Sequence, residues 1–97
     1  MKTREEYIEI LANHAQEIKT EYGVSSLCIF GSVARNEQQP DSDIDLFVDV
    51  KPTLRILIKL KRFLEQILGS PVDLIRKHNN LNPFIKREIE RDGITIF

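Results

Sequence analysis

Two short stretches hold residues of the kind that do chemistry: Phe30-Gly31-Ser32-Val33-Ala34-Arg35 and Asp43-Ile44-Asp45-Leu46-Phe47-Val48-Asp49-Val50, with ten residues between Ser32 and Asp43. Read as a strand, the second stretch alternates cleanly. Ile44, Leu46, Val48 and Val50 share one face, and Asp43, Asp45, Phe47 and Asp49 share the other. Asp43 and Asp45 then project the same way with Cα atoms about 7 Å apart. At an effective dielectric near 20, their charges repel by about 2 kcal/mol. A divalent cation removes that cost, and oxygen ligands on a rigid strand suit Mg²⁺, which fills its other positions with water and phosphate oxygens.

Asp73, among Val72, Leu74 and Ile75, is a third acid in an apolar run. It admits two readings: a solvated strand-end residue, or a third carboxylate facing Asp43 and Asp45 from a neighbouring strand. The second reading makes a site for two divalent ions, the arrangement used for in-line displacement at phosphorus. Gly31-Ser32 supplies what phosphoryl transfer also needs. A glycine lets backbone approach a phosphate closely, and amides at the start of a helix can point at its oxygens. The Ser32 hydroxyl adds a donor, and Arg35 can offer its fork to a phosphate oxygen. Gly-Ser alone marks a turn; its coupling to Asp-x-Asp gives it meaning.

The elements that must position these residues are legible from periodicity. Residues 3–22 predict one amphipathic helix, with Ile8, Leu11, Ala12, Ala15, Ile18 and Tyr22 on one face and Gly23 as a left-handed stop. Residues 25–30 predict a strand covered on both faces, with a buried thiol at Cys28. Residues 33–36 can begin a short helix, and 37–42 form a polar loop. A helix over 53–68 follows the acidic strand. Its apolar face comprises Leu54, Leu57, Ile58, Leu60, Phe63, Leu64, Ile67 and Leu68, with Lys59, Lys61, Arg62 and Glu65 toward water. Residues 72–75 predict a third strand, joined to the acidic one by a parallel crossover. Asn82 caps a last helix with Pro83 at its first position and Phe84, Ile85 and Ile89 inward; residues 94–97 suit an edge strand. The sum is an α/β fold, a small mixed sheet of three or four strands covered by helices.

Ninety-seven residues with formal net charge −1 make a single domain, 1–97, and argue against nucleic-acid binding by bulk charge. No apolar run is long enough for a membrane span. The amino terminus lacks the apolar core of a secretory signal, and one cysteine permits no internal disulfide, so a reducing, cytoplasmic setting is expected. His14 and His78 read as surface residues, and the Lys59, Lys61, Arg62 cluster as a solvated helix face. Phe47 suits either the core or a nucleotide base, the core being favoured.

Gly31-Ser32 followed by Asp43-x-Asp45 resembles the motif of the DNA polymerase β-type nucleotidyltransferase superfamily. The wider strings GSVARNEQQPDSDIDLFVDV and NPFIKREIERDGITIF are similar to its smallest branch, the minimal nucleotidyltransferases that act as antitoxins beside a HEPN-domain toxin. That resemblance implies a polymerase β-like core in which Asp43, Asp45 and Asp73 are catalytic and hold Mg²⁺, two ions in all. It implies that Gly31, Ser32 and Arg35 bind the phosphates of ATP. It implies transfer of AMP to a tyrosine of the partner toxin, which silences it. Asn36 departs from the glycine common at that position, a change that a left-handed backbone tolerates in Asn. Two alternatives stay open: nucleotidyl transfer to a small molecule, and a catalytically silent antitoxin that acts by binding alone.

Overall fold

A computed structural model describes residues 1–97. Four strands form one sheet in the order β3-β2-β1-β4. They are β1 (Ser26–Phe30), β2 (Ile44–Asp49), β3 (Val72–Arg76) and β4 (Ile94–Thr95). β1 pairs antiparallel with β2 and β4, whereas β2 and β3 run parallel. The parallel pair is joined by α4 (Leu54–Leu68), the crossover expected from sequence. The alternation in β2 decides which face is which. Ile44, Leu46 and Val48 are fully buried with Leu27, Ile29 and Val72, and α4 closes this core with Leu60, Leu64 and Leu68. Leu64→Ala removes a side chain with no exposure from the centre of that packing. It is expected to cost about 2–5 kcal/mol, read as a shift of the urea midpoint at unchanged slope.

The predicted first helix is two: α1 (Arg4–Asn13) and α2 (Ala15–Tyr22), meeting at His14. His14 leaves helical geometry at φ −101°, ψ 9°, its Nδ1 lies 2.8 Å from the Ile10 carbonyl oxygen, and its ring meets Phe63 edge-on. Side-chain competition for a helix carbonyl at a weak helix former ends the run there. The bend re-aims the apolar stripe, so Tyr7 joins Leu11 and Ile18 in the core while Ala12 stays exposed. A capping box between Thr3 and Glu6 fixes the start of α1.

Other expectations shift by a turn. Leu54 and Ile58 are exposed, because the face of α4 that meets the core runs through Ile56, Leu57, Leu60, Phe63, Leu64 and Ile67. Glu65 turns inward instead of facing water and accepts a hydrogen bond from the Val72 amide at 3.0 Å, tying α4 to the start of β3. In α5 (Pro83–Asp92), capped by Asn82 as expected, Phe84 is 67% exposed while Ile85 and Ile89 are half-buried. Cys28 is half-buried, and burial pushes its thiol up. No helix is long and apolar enough to cross a membrane.

Candidate active site

The sheet face opposite the main core carries the acids. Register places Phe30, Asp45 and Asp73 side by side across β1, β2 and β3. Asp45 is half-buried, Asp73 is exposed on the edge strand, and Asp43 is exposed just before β2 begins. The Asp45 carboxyl is pushed up to about 6, first by burial, then by the charges of Asp73, Glu88 and Asp43, with Arg35 opposing. A cluster whose charges are this poorly compensated suits a cation. In this arrangement no three carboxylates, imidazoles or thiols close on a single point. Asp45 and Asp73 are neighbours, and Asp43 lies one same-face position outward.

Gly31 opens α3 (Gly31–Ala34) immediately after β1 and has φ +72°. A Cβ there would overlap the Asp45 carboxylate, 2.9 Å from its Cγ. The glycine therefore does two jobs that no other residue can: it takes a left-handed turn, and it leaves room for the acid. Ser32 follows, half-buried, on the same turn. Asn36 has φ +60°, as its side chain permits.

Arg35 is placed near this acid but is already engaged. Its Nη1 donates to Asp92 of α5 at 3.1 Å and its Nε lies 3.6 Å from Glu37. Asp92 is held below the usual carboxylate range by Arg91 first and then by Arg35. The Arg35–Asp92 pair ties α5 to α3 across the open sheet face, and α5 in turn brings Glu88 toward Asp45. Sequence reasoning missed both acids. Their signal was present: Glu88 and Asp92 stand one helical turn apart beside the stripe of Ile85 and Ile89.

Phe47 lies outside the main core and faces the acidic side in the row after Asp45, lining a groove with α5. His78 sits in the exposed loop after β3, where its Nδ1 accepts from the Asn80 amide.

The chain around this glycine turn and its strand aspartates has relatives among known proteins. Residues 11–96 match the model of the nucleotidyltransferase domain. This chain belongs to that family. A Thermococcus cleftensis relative, the protein adenylyltransferase MntA, is 37% identical over 98 residues, covering 99% of this chain and 98% of the relative. A Methanocaldococcus jannaschii protein provisionally named a protein adenylyltransferase is 46% identical over 98 residues, covering 99% of this chain and 100% of its own. Among solved structures, one provisionally described as a minimal nucleotidyltransferase superposes with TM-score 0.76 at 30% identity, covering 96% of this chain and 95% of the other. An MNT antitoxin solved with a tri-AMPylated HEPN toxin from Shewanella oneidensis shares the fold, with TM-score 0.64 at 19% identity over 93% and 71% of the two chains. The nucleotidyltransferase sheet is thus the expected small mixed α/β sheet covered by helices, with four strands where three or four were expected.

Proposed function

We propose that this nucleotidyltransferase moves AMP from ATP to a tyrosine hydroxyl of a partner HEPN-domain toxin, which neutralises the toxin. The observation that carries the reading is the Gly31 turn lying against Asp45 with Asp73 in register beside it, a backbone turn next to two adjacent carboxylates. It is supported by near-complete alignment to a named protein adenylyltransferase and by a similar fold in an antitoxin solved with its AMPylated toxin.

Asp43, Asp45 and Asp73 would hold magnesium, which when bound neutralises triphosphate charge and lowers the pKa of an attacking hydroxyl. Gly31 and Ser32 face the end of the substrate that departs, with Ser32 offering its hydroxyl to a phosphate oxygen. Arg35 reaches a phosphate by giving up part of its bonding to Asp92 or Glu37. Asp73, exposed on the edge strand, takes the proton of the entering hydroxyl. The hydroxyl oxygen bonds to the α-phosphorus, the bond to the β-phosphate oxygen breaks, and pyrophosphate leaves. These residues act by positioning and charge.

The test is incubation with ATP labelled on the α-phosphate, Mg²⁺ and the toxin encoded beside this chain, followed by mass mapping. Label on a toxin tyrosine, lost with EDTA and with Asp43→Asn, is the expected result. Neutralisation at full strength by Asp43→Asn, with no label transferred, would sink it in favour of binding alone.

A further inference from the structure

α4 covers the core face of the sheet, so its outward side looks away from the carboxylates on the opposite face. This helix and the residues leading into it carry Lys51, Arg55, Lys59, Lys61 and Arg62, all exposed, in a chain whose net charge is −1. None of the five makes an ion pair. Glu65, the one acid of α4, accepts from the Val72 amide instead. The first turn of α4 holds no acid, so Arg55 stands against the positive end of the helix dipole. Arg55 and Lys59, four residues apart, also repel each other. Among these cations Leu54 and Ile58 are 73% and 45% exposed. Helical spacing sets Lys61 on one flank of that pair and Arg55, Lys59 and Arg62 on the other. Past the second flank lies a shallow hollow of about 250 Å³, with Lys59 and Arg62 beside the rings of Tyr22 and Phe63, whose centroids are 5.2 Å apart.

We infer that this face docks an acidic amphipathic helix of a second protein, and that it does so apart from the transfer reaction. Unpaired like charges and bare aliphatic side chains are local conflicts in the isolated helix. A partner with carboxylates on either side of an apolar stripe resolves both at once, by pairing the cations and covering Leu54 and Ile58. Those two residues stand four apart, so their ridge runs along α4 and fits the groove of another helix. A side chain of that helix can enter the hollow beside Tyr22 and Phe63. A second copy docked α4 to α4 would set five cations against five. A nucleic acid would press phosphates onto Leu54 and Ile58, which offer neither charge nor a hydrogen bond. An anionic membrane would gain only two inserted aliphatic side chains.

NMR titration of the isotope-labelled full chain tests this, with a synthetic peptide of about 15 residues, or about four turns, bearing leucines on one helical stripe and glutamates on both flanks. Signals of Leu54, Ile58 and Phe63 are expected to shift, and affinity to fall about tenfold or more from low to high salt. Arg55→Glu with Lys59→Glu abolishes binding of this peptide and gains binding of its counterpart with lysine for glutamate. Leu54→Ser with Ile58→Ser weakens the acidic peptide about tenfold at unchanged melting temperature, since both side chains are exposed. ATP binding stays at wild-type strength in both double variants. No shift at low salt, shifts on the Asp45 face instead, or equal affinity for a scrambled peptide of the same composition overturns the inference. Tighter binding of polyuridylate or of phosphatidylglycerol vesicles than of the peptide also overturns it. So does a dimer of the chain, seen by sedimentation, that the Arg55 and Lys59 reversal dissolves.

Discussion

Asp45→Asn yields a chain that is more stable at neutral pH without metal and transfers no measurable nucleotide. The Asp45 carboxyl titrates near 6 in the folded chain, against an ordinary value of 3.8. Below about pH 4 both folded and unfolded chains carry its proton, and stability is unaffected. Between about pH 4 and pH 6 the folded chain holds more protons than the unfolded one, so stability falls as pH rises. Above pH 6 the full penalty is present, for burial and for the nearby charges of Asp73, Glu88 and Asp43. Taken at face value the shift corresponds to about 3 kcal/mol. Half-exposure of the site and solvent screening reduce this to about 1–2 kcal/mol. Urea unfolding in EDTA is therefore expected to show wild-type stability dropping between pH 4 and pH 7, with a much shallower drop for Asp45→Asn. Equal slopes would mean that Asp45 is not the group titrating. Activity moves the other way. On the proposed reading, in which Asp45 helps hold the magnesium, removing its carboxylate is expected to cost about two decades in rate or more. Mg²⁺ is expected to raise the wild-type melting temperature more at pH 7.5 than at pH 5, where the site is protonated.

The same imbalance explains which parts of the molecule could be read from its sequence. The β2 alternation and the flanking glycines and prolines fixed the strands, the crossover and α5, because each rests on local chemistry: side-chain direction in a strand, φ > 0 at Gly23, a proline at a helix start. Asp73 could be suspected but not placed, since its position beside Asp45 depends on the register between β2 and β3, set only by packing along the 22 intervening residues of crossover and loop, 50–71. Glu88 escaped for the same reason. It reaches the acids because α5 folds back across the sheet and is pinned by Arg35 and Asp92, a contact between residues 57 apart in sequence. The break at His14 was lost because one face of a helix was fitted through it, and the deciding interactions, the Ile10 carbonyl and the Phe63 ring, are partly long-range. Leu54 and Phe84 are exposed although apolar, and Ile56 takes a core place beside Leu57 and Leu60 instead, a choice of helix face that apolar type alone does not encode.

Gly31→Ala carries the second large effect, and its cause can be separated from ordinary backbone strain. Any residue with a Cβ held at φ +72° pays about 1–2 kcal/mol. A Cβ added at Gly23 would meet the same kind of cost, at φ +68°, but would touch nothing within 4 Å. Gly23→Ala is accordingly expected to lose about 1 kcal/mol and keep full activity. At Gly31 the added methyl falls on the Asp45 carboxylate, so either the acid swings away or the turn between β1 and α3 opens. A total loss of about 3 kcal/mol is expected, with nucleotidyl transfer down about a hundredfold because the turn and the acid can no longer share their place. The cycle with Asp45→Gly isolates the contact: once the carboxylate is gone, Gly31→Ala should cost little more than Gly23→Ala. An undiminished cost in that background would place the strain elsewhere in the turn. A diminished one would show that the glycine is there for the acid, and that the phosphate turn and the acidic strand form one unit, held by the absence of a single methyl group.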